Sequence, residues 1–413
     1  MTLLIRNAKT PASEKIVCVS IEGEIISDVA KEISTRADTE IDAGGSLVFP
    51  TFVEPHIHLD KVLLSEEFGF SSSIKEAREV IRRAKESFTV SSVRDRIKKV
   101  IPLALKQGVT VIRTHVDIDC IVELKSLNAL NELRREYSPF VDMQIVATPQ
   151  EGLVSQEGSE ELFLKALESG ADVMGGLPEA EKSIEESMQH LDTVFSIARE
   201  KNVDVDVHND VSSFGRNLEY FLTKVVRNHY EGRATSAHNI ALAHYSDDYA
   251  TKLIGLIKRS DVNVTVNPCT MITSGAQHPP PMPRGITRVK ELLRAGINVT
   301  YGIDNMVDPF NPFGDFSVLR NGWLLAYGGQ LNSRELIDQI PRMATENAAR
   351  MLRLPDYGIA KGCRADINVL NYSNVADALR FGDTPRYVIK RGKVLAENQF
   401  VSRVYTYSKR FQC

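Results

Sequence analysis

The middle of the chain alternates between short apolar runs and longer segments in which apolar residues recur at helical spacing. The short runs predict eight strands, at residues 47–53, 109–115, 142–147, 173–176, 203–208, 234–238, 262–266 and 299–304. The longer segments predict helices at 92–107, 159–169, 183–201, 248–258, 287–294 and 333–352. Pro102 is expected to kink or break the first of these helices. Eight strands mostly separated by helices predict an α/β fold, a (β/α)8 TIM-type barrel.

Both ends of the chain have a different sequence pattern, which predicts short strands and tight turns. The N-terminal strands are predicted at 3–8, 16–21 and 25–29, and the C-terminal ones at 365–370 and in a hairpin over 387–395 that turns at Gly392. We expect the two ends to build one small β-sandwich module. The predicted organisation is therefore residues 1–48 and 356–413 for that module, and residues 49–355 for the barrel.

Composition narrows the class of protein but does not name a function. The 413 residues are 43% apolar and 25% charged, with a net charge of −4, so a large core is possible and nothing suggests nucleic acid as a partner. The five cysteines are scattered, no secretory signal precedes them, and the apolar start is too short to span a membrane. These features predict reduced thiols and a cytoplasmic location; assembly into a homo-oligomer is left open.

Polar residues that suit metal chemistry follow the predicted barrel strands. The first strand leads into His56-Ile57-His58, whose alternating geometry would point both imidazoles the same way. Further along, strand ends carry His115 with Asp117, then Gln150, His208, His238 and Asp304. A single histidine at a strand end is usually a hydrogen-bonded structural residue. Several at the carboxyl ends of barrel strands would converge on the face where such barrels hold their active sites.

Three imidazoles and a carboxylate can hold one divalent metal ion, and imidazole suits both iron and zinc. Such an ion lowers the pKa of a bound water and orients the resulting hydroxide for attack on an unsaturated carbon. Asp304 could take the proton of the water, and His238 could orient the nucleophile. The residues therefore predict a metal-dependent hydrolase.

The chain resembles the amidohydrolase superfamily, and within it the bacterial cytosine deaminase branch. The resemblance rests on the segments 52–60, 113–117, 149–152, 206–208, 296–299, 304–310 and 357–366. It implies that His56, His58, His208 and Asp304 bind one Fe²⁺ or Zn²⁺ ion, that His238 faces the attacking water, and that Gln150 holds the substrate through its amide. The substrate it implies is a small nitrogen heterocycle, a cytosine-like pyrimidine or an aminotriazine, which would lose an amino group.

The chain departs from the cytosine deaminases inside the site. Where they have a proton-shuttling Glu three residues after the fifth-strand histidine, this chain has Val211, and their second Asp after the last strand is Asn305. Asn305 and Lys61 resemble the N-isopropylammelide amidohydrolases, and we expect both to contact substrate. Asp210 could replace the missing Glu, or it could cap the segment that follows it. Two other functions stay open: hydrolysis of a cyclic or linear amide C–N bond, and metal or ligand binding without catalysis.

Other residues have two interpretations each. Lys61 could line the pocket or be a solvated loop residue, and the proline-rich run 278–283 could be a lid or a rigid connector. We expect His115 to hydrogen-bond beside the metal ligands, not to bind the ion itself. Four aromatic residues could wall a ring pocket or pack in the core: Phe310, Phe313, Phe316 and Trp323. Surface or loop positions are predicted for His190, His229, His244 and His278.

Overall fold

The computed structural model describes residues 2–403, apart from 12, 35 and 274–283. The proline-rich run 278–283 and His278 therefore lie outside the described residues. The N-terminal strands are β1 (Thr2–Thr10), β2 (Ser13–Glu22), β3 (Ile25–Ala30), β4 (Thr39–Asp42) and β5 (Val48–Pro50). The barrel strands are β6 (Phe52–Ile57), β7 (Val109–Asp117), β8 (Asp142–Thr148), β9 (Val173–Gly176), β10 (Asp204–Asn209), β11 (Ala234–His238), β12 (Asn263–Val266) and β13 (Val299–Tyr301). The C-terminal strands are β14 (Ile367–Val369), β15 (Tyr387–Lys390) and β16 (Lys393–Glu397).

Helices cover the barrel and fill most connections between its strands. They are α1 (Ser65–Phe68), α2 (Ile74–Glu86), α3 (Val90–Lys106), α4 (Lys125–Glu136), α5 (Ser159–Glu168), α6 (Ile184–Lys201), α7 (Leu218–Asn228), α8 (Asp247–Arg259), α9 (Pro268–Thr273), α10 (Val289–Arg294), α11 (Val318–Gly328), α12 (Arg334–Met343), α13 (Glu346–Leu352) and α14 (Val375–Phe381). No helix in the described part of the chain is long and apolar enough to cross a bilayer.

Strands β6 to β13 form one parallel sheet in sequence order, so that each strand pairs with its neighbours along the chain. The first and last strands meet where Asp304 N donates to His56 O at 2.8 Å and His58 N donates to Asp304 O at 2.9 Å. The sheet is thus nearly closed, and the predicted (β/α)8 barrel is confirmed. The closing contact also brings residues of the candidate metal site together.

The two ends of the chain form two four-stranded sheets, ordered β3-β2-β1-β4 and β16-β15-β14-β5. Their inner faces share one apolar cluster, which joins Ile5 and Val19 of the first sheet to Val48, Ile367 and Ile389 of the second. The predicted small module built from both termini is confirmed. In its hairpin, Arg391 and Gly392 both have positive φ, at 48° and 71°. This matches the two-residue turn whose geometry fits the right-handed twist of the flanking strands.

The apolar run 47–53 was predicted as one barrel strand, and that prediction is wrong. Val48–Pro50 pairs antiparallel with β14 in the small module, whereas the barrel strand begins at Phe52 beside Val109. Every residue of 48–57 is buried. The chain is therefore apolar both before and after it passes from the small module to the barrel, and its hydrophobicity does not reveal where it changes sheet.

The helices show three more differences from the sequence prediction. The segment 333–352 is two helices, because Thr345 has non-helical angles (φ −128°, ψ −101°) and the first helix has Pro341 in its last turn. Helix α3 continues through Pro102 to Lys106, so the expected break does not occur. Helix α2 was not predicted, although Ser73 and Glu76 at its start have the spacing of a capping box.

Candidate metal centre and active site

Four buried side chains converge at the carboxyl ends of β6, β10 and β13. One nitrogen or oxygen from each of His56, His58, His208 and Asp304 lies within 4.8 Å of the other three. His58 Nε2 is 3.1 Å from His208 Nε2, and Asp304 Oδ1 is 3.4 Å from His56 Nε2 and 3.3 Å from His58 Nε2. The parallel barrel produces this cluster, since each residue sits where its strand ends or just beyond.

The cluster fits a divalent metal ion. Both ring nitrogens of His56, together with His58 Nδ1 and His208 Nδ1, are buried without a hydrogen-bond partner, which would be costly for polar atoms with no other use. Burial lowers the pKa of all three imidazoles, that of His56 to about 4, and so keeps them in the neutral form that binds metal. Three imidazoles and one carboxylate suit zinc or iron.

His238 completes the floor of the site without joining the cluster. Its Nδ1 is 4.0 Å from Asp304 Oδ2 and 3.3 Å from Asn267 Nδ2, and its Nε2 has no partner. Burial lowers the pKa of His238 to about 4, against the opposite influence of Asp304. Both His238 and Asp304 have positive φ, at 71° and 70°. Such strained conformations in non-glycine residues often occur at functional sites.

His115 lies behind the cluster, as the sequence suggested. Its ring centroid is 4.0 Å from that of His56, and its Nδ1 is 3.1 Å from Thr148 Oγ1. Asp206 Oδ1 is 3.9 Å from His115 Nε2, while its other oxygen accepts from Arg113 at 3.0 Å. His56, His115 and Asp206 are also close enough to share an ion. The guanidinium of Arg113 already supplies the positive charge there. We therefore assign His115 and Asp206 a role in supporting the His56 ring.

A cavity opens above the cluster and is lined mainly by the residues that the sequence singled out. Its polar and charged lining consists of His58, Lys61, Arg78, Gln150, His208, His238, Thr270, Asp304 and Asn305. Its apolar lining consists of Ile74, Leu177, Val211, Met271 and Phe310. All three predicted substrate contacts, Gln150, Lys61 and Asn305, therefore line one cavity with the metal cluster. Asn305 is held in place because its Nδ2 donates to Asp308 Oδ2 at 2.6 Å.

The four aromatic residues after Asp304 do not act together. Phe310 lines the cavity, but Phe316 is buried in the core, and Phe313 is 75% exposed. Trp323 is 39% exposed, and its ring is tilted against that of Tyr327 with the centroids 4.6 Å apart. The predicted aromatic wall is thus reduced to Phe310.

The interpretation of Lys61 as a solvated loop lysine is wrong. Lys61 is fully buried, and its Nζ donates to Asp117 Oδ1 at 2.6 Å. Burial alone would lower its pKa, but Asp117 and Asp60 more than offset this and raise it. Asp117 also accepts from Lys85 at 3.2 Å, and Lys85 comes from the unpredicted helix α2. Sequence reasoning missed Lys85 because nothing near it in the chain indicates a buried cation.

Asp210 caps a helix, which is the simpler of its two predicted roles. Its Oδ1 accepts from Asn217 N at 2.8 Å and its Oδ2 from Leu218 N at 3.3 Å, at the start of α7, and Tyr245 OH also donates to it at 3.2 Å. The cavity at the metal cluster is lined instead by Val211. The carboxylate of Asp210 is thus engaged away from the cavity.

We expect Asp210→Ala to lower the free energy of unfolding by about 2–3 kcal/mol, through loss of these backbone hydrogen bonds and because alanine is strained at the φ of 48° that Asp210 adopts. We expect kcat/KM to stay within about threefold of the wild-type value, because the side chain makes no contact with the cavity. Chemical denaturation and steady-state kinetics on the same preparation measure both. A large fall in kcat without a change in stability would restore the proton-transfer role.

The surface prediction for His190 is also wrong. Its side chain is fully buried on α6, where Nε2 accepts from Leu177 N at 3.0 Å and Nδ1 lies 2.7 Å from Glu181 Oε1. His190 thereby links the loop after β9 to the helix that follows. His229 and His244 are exposed at helix ends, as predicted.

The fold and the site together identify the class. The sequence profile described as "Amidohydrolase family" matches residues 90–396, and the chain belongs to this family. A curated relative, N-isopropylammelide isopropyl amidohydrolase of Pseudomonas sp. (strain ADP), is 30% identical over 97% of this chain and 98% of its own length. Pterin deaminase of Rhizobium rhizogenes (strain K84 / ATCC BAA-868) is 26% identical over 93% of this chain and 89% of its own.

Solved structures are also similar to this chain. The 5-methylcytosine deaminase from Klebsiella pneumoniae, with 5-fluorocytosine bound, has a TM-score of 0.93 at 31% identity and covers 98% of this chain and 99% of its own. N-isopropylammelide isopropylaminohydrolase from Burkholderia multivorans has a TM-score of 0.84 at 25% identity and covers 96% and 99%. The chain is accordingly a hydrolase of carbon–nitrogen bonds other than peptide bonds.

Proposed function

We propose that the protein deaminates a small nitrogen heterocycle, a cytosine-like pyrimidine or an aminotriazine. In this proposal His56, His58, His208 and Asp304 hold one divalent ion, Fe²⁺ or Zn²⁺. The observation that carries it is the convergence of a carboxylate and three neutral imidazoles, each with at least one ring nitrogen that lacks a hydrogen-bond partner, on the floor of a cavity. When bound, the ion would acidify and orient the attacking water. Relatives named for an ammelide, a pterin and 5-methylcytosine support a ring substrate.

The proposal assigns roles to five side chains of the cavity. The Asp304 carboxylate accepts the proton of the water and passes it to the leaving nitrogen. His238, 4.0 Å from Asp304 Oδ2, orients the water and holds developing charge. The Lys61 ammonium donates to a ring oxygen, and the amides of Gln150 and Asn305 hold the rest of the ring. All five line the same cavity, which is the geometry these tasks require.

Val211 stands where cytosine deaminases carry a proton-shuttling Glu, and it lines the cavity. A valine side chain cannot protonate a ring nitrogen. This observation favours a second candidate, hydrolysis of a cyclic or linear amide C–N bond, which needs no such proton. It also favours rings that are already protonated or electron-poor over cytosine itself.

The first test is ammonia release by the purified protein, loaded in turn with iron and with zinc. The panel holds cytosine, isocytosine, creatinine, aminotriazines and simple cyclic amides. Ammonia from an aminated ring, lost on chelation and restored by one metal, is the expected result. Ring opening of a cyclic amide without ammonia would transfer the proposal to the second candidate. Bound metal with no turnover of any compound would contradict both.

We also propose a cytoplasmic location. No disulfide joins the four cysteines in the described ranges, Cys18, Cys120, Cys269 and Cys363, and scattered reduced thiols are typical of that compartment. The partner is then a small-molecule substrate, and the homo-oligomeric state is left to size-exclusion measurements.

A further inference from the structure

A second cavity of about 470 Å³ adjoins the one at the metal cluster. We call it the outer groove. It lies between helix α2, the loop after β9 and the loop after β10. Ile74, Arg78 and Val211 line both spaces. The side chains that give the outer groove its character are Arg78, Glu179, Lys182, Ile184, Phe214 and Arg216. A group attached to a ring in the inner cavity could therefore extend into this groove past Val211.

Three cations face the outer groove, and none has a carboxylate within 4.0 Å in the part of the chain that the structure describes. They are Arg78, Lys182 and Arg216, all exposed. Arg216 is held in position, because its Nη1 donates to Gly215 O at 3.1 Å and its guanidinium lies 5.1 Å from the ring centroid of Tyr245. Exposed arginines that are positioned but unpaired suit the planar, two-point recognition of carboxylate or phosphate.

The two acids of the groove offset only part of this charge. The carboxylate of Glu181 is already used by His190 Nδ1 at 2.7 Å and by the backbone N–H groups of 153, 154 and 155 at 2.6–3.0 Å. Glu179 accepts from Ser212 N at 3.0 Å, and burial and the nearby Asp210 raise its pKa to about 7. Near neutral pH the three cations therefore outnumber the two acids, and the net charge of the groove is positive.

The groove also offers apolar contact. Phe214 is 71% exposed and Ile184 is 60% exposed, and large apolar residues exposed together beside a site often mark ligand contact. These side chains could cover the apolar stem of a group whose charged end meets the arginines. Cations combined with an apolar flank favour an anionic substituent over a neutral alkyl one.

We propose that the outer groove is a binding subsite for an anionic substituent, a carboxylate or a phosphate, carried by the heterocycle that reacts at the metal cluster. The proposal rests on the proposed function for the position of the ring. It assigns Arg78 and Arg216 as the residues that distinguish a charged substrate from the bare ring. Val211, a small side chain, lines both cavities where they adjoin.

The test compares paired ligands on the zinc-loaded protein by calorimetry: cytosine with 5-carboxycytosine, and cytidine with cytidine 5′-monophosphate. A ligand that is turned over is compared by kcat/KM. We expect the anionic member of at least one pair to be favoured by about tenfold or more, as befits two charge-assisted contacts. Which pair shows the preference distinguishes carboxylate from phosphate. Equal or weaker binding of both anionic members would overturn the proposal.

Variants then locate the effect. The double variant Arg78→Ala/Arg216→Ala should lose the preference for the anionic member of a pair, and Arg78→Lys/Arg216→Lys should retain part of it. Because Arg78 also lines the inner cavity, the readout is the ratio of affinities within a pair. Arg83→Ala is the matched control, because Arg83 is exposed on the same helix and does not line the groove. A preference that persists in the double alanine variant would overturn the assignment.

One further experiment distinguishes failure of the subsite proposal from failure of the proposed function. Inorganic phosphate and succinate are titrated into wild-type protein and into the double alanine variant. If no ring binds but these anions bind only to the wild type, the heterocycle proposal fails and the anion subsite stands. If no ring binds and the anions do not distinguish the two proteins, the subsite is overturned as well.

Discussion

Asp304→Asn is expected to leave a folded protein that has lost nearly all activity. On the best substrate of the panel, kcat/KM should fall by about 10³-fold or more, because under the proposed function the variant loses both a charged metal ligand and the proton acceptor. Metal content should fall in parallel. Asparagine is the informative replacement, since Asp304 has a φ of 70° and Asn tolerates that conformation better than Ala does.

Three measurements on one preparation decide the outcome: steady-state kinetics, metal content by mass spectrometry, and the free energy of unfolding. Asp210→Ala is the control, because it removes a buried carboxylate that does not line the cavity. Retention of activity within about tenfold in Asp304→Asn would contradict the assigned role. Loss of activity in both variants alike would point to a general structural effect.

The cluster of candidate metal ligands could be predicted from the sequence because a parallel barrel imposes one simple rule. Every strand ends on the same face, so residues at strand ends are neighbours in space whatever their separation in the chain. His58 and His208 are 150 positions apart, yet their Nε2 atoms are 3.1 Å apart. The rule needs only approximate strand ends: the first barrel strand was predicted to end at 53 and ends at Ile57, yet His56 and His58 still lie in the cluster.

Contacts that depend on helices were beyond that rule. Arg78 and Lys85 lie on α2, which is strongly amphipathic and polar overall, and the helix was not predicted. Lys85 looks like any surface lysine in the sequence, but it is fully buried. The burial of His190 depends in the same way on Glu181, nine residues before it in the chain and on a different element. Side-chain burial of charged residues is set by tertiary partners, and periodicity carries no record of them.

The contacts of Lys85 belong to one network of charged residues beside the cavity. Asp117 binds two ammonium groups, since Oδ1 is 2.6 Å from Lys61 Nζ and Oδ2 is 3.2 Å from Lys85 Nζ. Lys85 Nζ also lies 2.7 Å from Asp119 and 2.6 Å from Glu151, which follows Gln150 in the chain. The network therefore connects Lys61 to the turn that carries Gln150. Two of the proposed substrate contacts are positioned by the same buried charges.

Asp117→Asn should be among the most destabilising single changes in this protein, lowering the free energy of unfolding by about 3–5 kcal/mol. Burial alone would raise the pKa of Asp117, but Lys61 and Lys85 more than offset this and lower it, so the side chain is an anion in the folded state. Its neutral replacement leaves two buried ammonium groups one carboxylate short. Lys61 would also lose its fixed position, so KM should rise for any ring bound through an oxygen.

Glu136→Gln is the matched control for charge removal. Glu136 pairs with Lys98 at 2.8 Å, but both side chains are more than a third exposed, and such pairs contribute about 0–1 kcal/mol. The double variant Asp117→Asn/Lys61→Met should recover part of the lost stability, because Lys61 contacts only Asp117 among the described carboxylates, whereas Lys85 keeps Asp119 and Glu151. Urea denaturation of the four proteins gives the comparison. If Asp117→Asn costs no more than Glu136→Gln, water must screen the network, and the position of Lys61 would then depend on packing alone.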